Sequence, residues 1–314
     1  MNKLKGLLLT EGLHGMISQV EGLAKALDLE YFHEKVELNN FWKFIPPKFT
    51  PIKKFVFKNK IQRDFDIIIS CGRKSVIPSI FLKKINNKKI KNIHIQDPKV
   101  NFQNFDYIIS PEHDDLKGEN IISSKGAIHY LTTTDIEEKK NYLSDRVTKE
   151  KKIITLILGG PTKYYTYSNQ NILNIFSKIS KQILNKDYQL IVIPSNRTPI
   201  KTIELAKKFF SKEHLIIDRV DKNAYLSSLG VADYIIVTCD SSSMISEAAL
   251  TGKPLYVAII PPSKKDTRFQ NFRKLFEKMN IIREFDGKLE TWNYEKLDET
   301  LSLIHISEPT RHER

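Results

Sequence analysis

Cysteine is nearly absent: the 314-residue chain carries two, Cys71 and Cys239. They fall in no metal-ligand spacing, so neither a disulfide framework nor a zinc site is expected. Long apolar runs are missing too. Stretches such as Ile153 to Leu158 have strand length, far below the ~18 residues a membrane helix needs. The N-terminus passes from Lys3 and Lys5 through Leu7-Leu8-Leu9 to Thr10-Glu11-Gly12, which is too little apolar length for a signal peptide and predicts a cytoplasmic start. No Gly-Lys-Ser/Thr follows a glycine loop at Walker spacing, and no Asp-x-Asp stands beside a candidate phosphate loop. No metal is therefore expected at the site.

What is present is a globular composition, 40% hydrophobic and 28% charged, enough to bury a core in one or two domains. The net charge of +13 favours anionic partners: phosphorylated small molecules, acidic lipid surfaces or nucleic acid. The basic excess is spread over both halves, and no compact basic block with interleaved aromatics marks a nucleic-acid module, so no nucleic-acid partner is expected. The charged run Lys53 to Lys60 reads as a surface turn.

Short apolar runs alternate with longer amphipathic segments, the pattern of parallel sheets with crossover helices, and the fold class is α/β. Strands are expected over 4–10, 66–70, 92–96 and 106–110, then over 152–158, 188–193, 214–218, 233–238 and 254–259. Helices are expected at 18–27, 74–84, 169–185, 200–211, 221–229 and 242–250. This describes two Rossmann-like domains, with the join in the charged stretch Asp135 to Lys152: domains at 1–148 and 149–300. Residues 301–314 look like the translation of a sequencing-library adapter and are set apart.

Three loops carry candidate chemistry. Val237-Thr238-Cys239-Asp240-Ser241-Ser242-Ser243-Met244 leads from a strand into a helix that carries Glu247. Free N–H groups and the helix dipole at Ser241, Ser242, Ser243 and Met244 favour a diphosphate. Glu247 could accept sugar hydroxyls, or it could be a capping-box partner. Gly159-Gly160-Pro161-Thr162-Lys163 follows another strand, where glycines let backbone approach a phosphate and Lys163 can complete the contact. Thr10-Glu11-Gly12-Leu13-His14-Gly15 follows the first strand and brings together a carboxylate and an imidazole, either of which could take a proton. Arg197, after Ser195-Asn196, is a further phosphate candidate or the prelude to a helix starting at Thr198-Pro199. Pro111-Glu112-His113-Asp114 reads as a turn rather than a metal site.

Taken in order, these motifs, with Gly72-Arg73-Lys74, Gly126-Ala127-Ile128-His129, Thr251-Gly252-Lys253-Pro254, Arg268-Phe269 and Trp292, resemble the family named for a mitochondrial fission protein. Its members look like nucleotide-sugar glycosyltransferases of the GT-B type. Cys239 departs from a usual small residue and Asn196 from a usual arginine. The resemblance implies a GT-B-like pair of domains with a cleft between them, the acceptor on the N-terminal side and the nucleotide on the C-terminal side. It implies a metal-independent glycosyltransferase that needs no cofactor beyond a nucleoside-diphosphate sugar as donor. Gly12, Gly15, Gly159, Gly160, Lys163, Arg197, Ser241 to Met244 and Glu247 would hold the nucleotide, and His14 or Glu11 would be the base. The acceptor would be a lipid or glycan, and the protein would be cytoplasmic with peripheral contact at the acidic inner face of the membrane. Two alternatives are a non-enzymatic membrane-surface adaptor with a retained GT-B body and a nucleotide-sugar epimerase.

Overall fold

The computed structural model describes residues 3–61, 63–86, 90–184 and 187–299. The adapter-like stretch 301–314 lies outside them. The first unit contains β1 (Lys5–Thr10), α1 (His14–Ala26), β2 (Glu30–Lys35), β3 (Ile67–Cys71), α2 (Val76–Ile85), β4 (Lys91–Ile95), β5 (Tyr107–Pro111) and β6 (Ile121–Ser124). All pairings are parallel, in the order β2-β1-β3-β4-β5-β6. The central strands are apolar on both faces because helices cover both. Leu7, Leu9 and Ile68 pack on one side with Ile80 of α2, while Leu8 and Ile69 pack on the other with Val20 and Leu23 of α1.

The second unit contains α3 (Thr133–Lys139), β7 (Lys152–Leu158), α4 (Asn169–Ile183), β8 (Tyr188–Pro194), α5 (Ile200–Phe209), β9 (Leu215–Ile216), α6 (Lys222–Val231), β10 (Tyr234–Thr238), α7 (Ser242–Ala249), β11 (Leu255–Ala258), α8 (Thr267–Lys278) and β12 (Ile282–Glu284). Its parallel sheet runs β12-β11-β10-β7-β8-β9. Taken from the β9 edge this is the doubly wound order 3-2-1-4-5-6. The chain reverses direction across the sheet between β7 and β10, and in the first unit between β1 and β3. Ligands of such sheets bind beyond the carboxyl ends of the strands at the reversal. The expected α/β fold with two Rossmann-like units is present.

The division of the chain differs from the expected boundary near 148. The second unit spans residues 131–297, and the chain then returns to the first. The charged stretch taken as a linker is structured. Thr132 caps α3 in a reciprocal capping box with Asp135. A following 3-10 helix, Lys140–Arg146, is fastened to α6, with Leu143 N donating to Ser227 Oγ at 3.1 Å and Ser227 Oγ donating to Lys140 O at 2.7 Å. After the second unit, Glu299 accepts a hydrogen bond from the Gly126 amide. Among the described residues no helix is long and apolar enough to cross a membrane.

Candidate functional site

At the β7/β10 reversal three loops interlock. Thr238 and Asp240 leave β10, Gly159 and Gly160 leave β7, and Arg197 comes from the loop between β8 and α5. The Gly159 amide donates to Thr238 Oγ1 at 2.8 Å and the Gly160 amide to Asp240 Oδ2 at 3.0 Å. The Tyr167 hydroxyl donates to Asp240 Oδ1 at 2.6 Å and accepts from Thr238 Oγ1 at 2.7 Å. Arg197 closes the cluster, giving Nη2 to Asp240 Oδ2 at 2.8 Å and Nη1 to the Gly160 carbonyl at 2.9 Å. Thr198 Oγ1 donates back to Gly159 O at 2.6 Å, with Leu158 O 2.8 Å away, and accepts from the Ser195 amide at 2.8 Å. Thr198 is thus a strap between loops, and the residue preceding α5 is Pro199.

Both glycines are required by contact. A Cβ on Gly159 would lie 2.1 Å from Asp240 Oδ2, and one on Gly160 would lie 2.1 Å from the Arg197 carbonyl. The Gly160 amide binds an internal anion, the buried Asp240 carboxylate, and the Gly159 amide binds the Thr238 hydroxyl, where the sequence suggests a ligand phosphate. Lys163 is exposed and sits with its ammonium 4.7 Å from the Tyr164 ring centroid.

Helix α7 begins beside this cluster. Ser241 is its N-cap, accepting from Met244 N at 3.4 Å, and Ser242 and Ser243 occupy the first turn, whose N–H groups lack intrahelical partners. Glu247 lies a further turn along, beyond capping-box distance. It is 8% exposed, and its Oε2 accepts the Tyr225 hydroxyl of α6 at 2.6 Å. Burial pushes its carboxyl up to about 7, only partly opposed by the Tyr225 hydrogen bond. Lys253, in the motif that follows, is mostly buried and donates to Leu229 O and Gly230 O, so it closes the end of α6.

At the β1/β3 reversal of the first unit, Glu11 is held by Lys74: Oε2 pairs with the ammonium at 2.8 Å and Oε1 accepts the Lys74 amide at 3.1 Å. Gly12 and Gly72 both take left-handed backbone, φ +82° and +95°. His14 opens α1, exposed, its ring edge-on to Tyr130 at 6.3 Å between centroids, with Gly15 exposed next to it. Behind the loop Gln19 is buried, its Oε1 accepting from Cys71 Sγ at 3.5 Å and from Gln96 Nε2 at 3.1 Å. Glu112 to Asp114 form a 3-10 turn, and among the described residues no group of three His, Cys, Asp or Glu could hold a metal.

The structure therefore gathers Gly159, Gly160, Arg197 and the α7 start in one unit, and Glu11, Gly12, His14 and Gly15 in the other. Sequence reading missed Tyr167 and Tyr225. The tyrosines at 164, 165 and 167 after the glycine loop were a usable signal for the first. Nothing local marks the second.

Similarity to known proteins bears on family and fold. The family model for mitochondrial fission ELM1 matches residues 14–303. The chain belongs to the mitochondrial fission ELM1 family. An uncharacterized protein of Rickettsia prowazekii is 28% identical over 93% of this chain and 92% of its own length. The mitochondrial fission protein ELM1 of Arabidopsis thaliana is 22% identical over 74% of this chain, which spans 61% of the plant protein. Among solved structures, UDP-GlcNAc 2-epimerase of Neisseria meningitidis bound to UDP-GlcNAc superposes with a TM-score of 0.55 at 11% identity, covering 98% of this chain and 100% of that one. S. aureus MnaA with UDP gives 0.53 at 15% identity, covering 99% and 97%. The ELM1-family chain thus has the GT-B-like fold.

Proposed function

We propose that this chain is a metal-independent glycosyltransferase that transfers a sugar from a nucleoside-diphosphate sugar to a lipid or glycan acceptor. The observation that carries the reading is Glu247. A carboxylate buried on α7 with a phenol as its partner is a costly way to stabilise a helix, and suits a group that receives ligand hydroxyls. In this reading the Ser242 and Ser243 amides receive the diphosphate together with Arg197, whose guanidinium is bonded to Asp240 and the Gly160 carbonyl, and helix dipole and guanidinium then do the work of a cation. Two solved structures of like fold hold UDP or UDP-GlcNAc, which makes uridine nucleotides the first probes.

In the transfer, the acceptor hydroxyl attacks the anomeric carbon, its proton passes to a base, and the sugar–oxygen bond electrons leave with the diphosphate. Both Glu11 oxygens are engaged by Lys74, so His14 takes the role of base and Glu11 that of a loop organiser.

Calorimetric titration with UDP, with magnesium and with chelator, tests the nucleotide site. Binding should survive chelation, and Glu247→Ala should weaken it by roughly 1.5–3 kcal/mol, the value of a hydrogen bond to a charged group. His14→Ala should keep that binding and lose about 10²- to 10⁴-fold in transfer rate. Unchanged affinity in a folded Glu247→Ala protein defeats the reading. Conversion of the donor without an acceptor would instead indicate the epimerase, and nucleotide binding with no turnover the adaptor.

A further inference from the structure

Between β2 and β3 the chain makes an excursion whose surface is unlike the rest of the first unit. Phe44 is 82% exposed, Phe49 71%, Phe41 65% and Phe55 58%. Phenylalanine is ordinarily among the buried residue types, and several exposed together mark an interaction surface. Two of them flank one indole: Phe41 stacks edge-on against Trp42 at 4.9 Å between centroids, and Trp42 lies 5.9 Å from Phe55. The base is rigid. An antiparallel bridge joins Leu38 to Phe57, Asn39 donates to the Phe55 carbonyl, and the Thr50 hydroxyl donates to Pro46 O at 3.0 Å. Trp42 and Ile52 rest on the core beneath, so the exposed rings are presented by an anchored platform.

Charge decides what could cover the rings. Lys43, Lys48, Lys53 and Lys58 are exposed among them, and from Leu38 to Arg63 the sequence contains no acidic residue. Aromatic rings between lysines fit the lipid–water interface, where rings sit at headgroup level and ammonium groups meet lipid phosphates. A protein partner with an apolar groove would have no need of the uniform positive sign.

We propose that the Phe41–Lys60 loop docks this protein on an anionic phospholipid bilayer, with the four exposed phenylalanines at headgroup depth and the lysines against lipid phosphates. A guanidinium hydrogen bond from Arg73 to the Lys43 carbonyl ties this loop to the β1/β3 reversal, so docking would hold that end of the first unit at the membrane.

Co-sedimentation of the full chain with vesicles tests this. The protein should pellet with phosphatidylglycerol/phosphatidylcholine vesicles, stay in solution with phosphatidylcholine alone, and be released by high salt. A Phe44→Ser/Phe49→Ser double variant should bind at least about tenfold more weakly. Each lysine at an anionic surface adds about fivefold, so Lys48→Glu/Lys53→Glu should lose about 25-fold or more. All four positions are exposed, so the variants should keep the wild-type melting temperature. Spin-labelled lipid should quench the tryptophan emission through Trp42. The proposal is overturned if wild type stays in solution with anionic vesicles, if both folded variants bind like wild type, or if the lysines control binding to an oligonucleotide and not to vesicles.

Discussion

Glu247 has two properties that belong together. It is buried, and its proton is held up to about pH 7 because a charged carboxylate there has lost its water. In the unfolded chain the same group ionises near its reference value of 4.5. Below pH 4.5 both states are neutral and nothing is lost. As pH rises to about 7 the unfolded state releases the proton while the folded state retains it, so stability falls with pH, and above about 7 the full penalty remains. The expected size is at most about 3.5 kcal/mol, at ~1.4 kcal/mol per pKa unit over the rise from 4.5 to about 7. Glu247→Gln should therefore be less sensitive to pH than wild type across this window, and relatively more stable at pH 8 than at pH 5. Urea denaturation of both proteins at the two values checks it; parallel changes would mean that burial does not hold the proton. A sugar that donates hydroxyls to this group favours its charged form, so nucleotide binding near pH 6.5 should release protons.

At the scale of elements, the glycines divide into those that let two segments touch and those that do not. Gly160 lies where β7 meets the loop before α5, with room for no Cβ against the Arg197 backbone. Gly15 lies in the first turn of α1, and a Cβ there would have no neighbouring atom within 4 Å. Gly160→Ala should destabilise by about 1–3 kcal/mol or more, the range for overpacking. Gly15→Ala should be neutral or stabilise by up to about 1 kcal/mol, since alanine is the better helix former. Thermal melts decide between them. Nucleotide affinity unchanged in Gly15→Ala would show that Gly15 does not need its missing side chain for binding.

For the whole molecule, the line between units is set by what packs on α6. A fragment of residues 131–297 keeps α3 and the 3-10 helix that Ser227 holds, and it should fold and bind UDP by itself. A fragment of residues 149–297 removes that cover, exposes Ser227 and the buried Leu143 site, and should melt lower or fail to fold. Equal melting temperatures for the two would return the boundary to the charged stretch before β7.

The central strands were legible because a parallel strand covered by helices on both faces must be apolar at nearly every position, and β1, β3, β7, β8 and β10 are. Of the edge strands, β9 was read, while β2, β6 and β12 were not, because with one side unpaired they are short or carry charge, as in Glu30–Lys35. The start of α7 was also readable, since capping chemistry is local and Ser241 lies three residues from the amide it accepts. What Asp240, Gly160 and Glu247 touch was decided by tertiary structure alone. The Asp240 partners lie 43 to 80 residues away in sequence and the Glu247 partner 22. Only the order in which the strands assemble brings β7 beside β10, and with it a carboxylate to the Gly160 amide where local pattern alone suggested a phosphate.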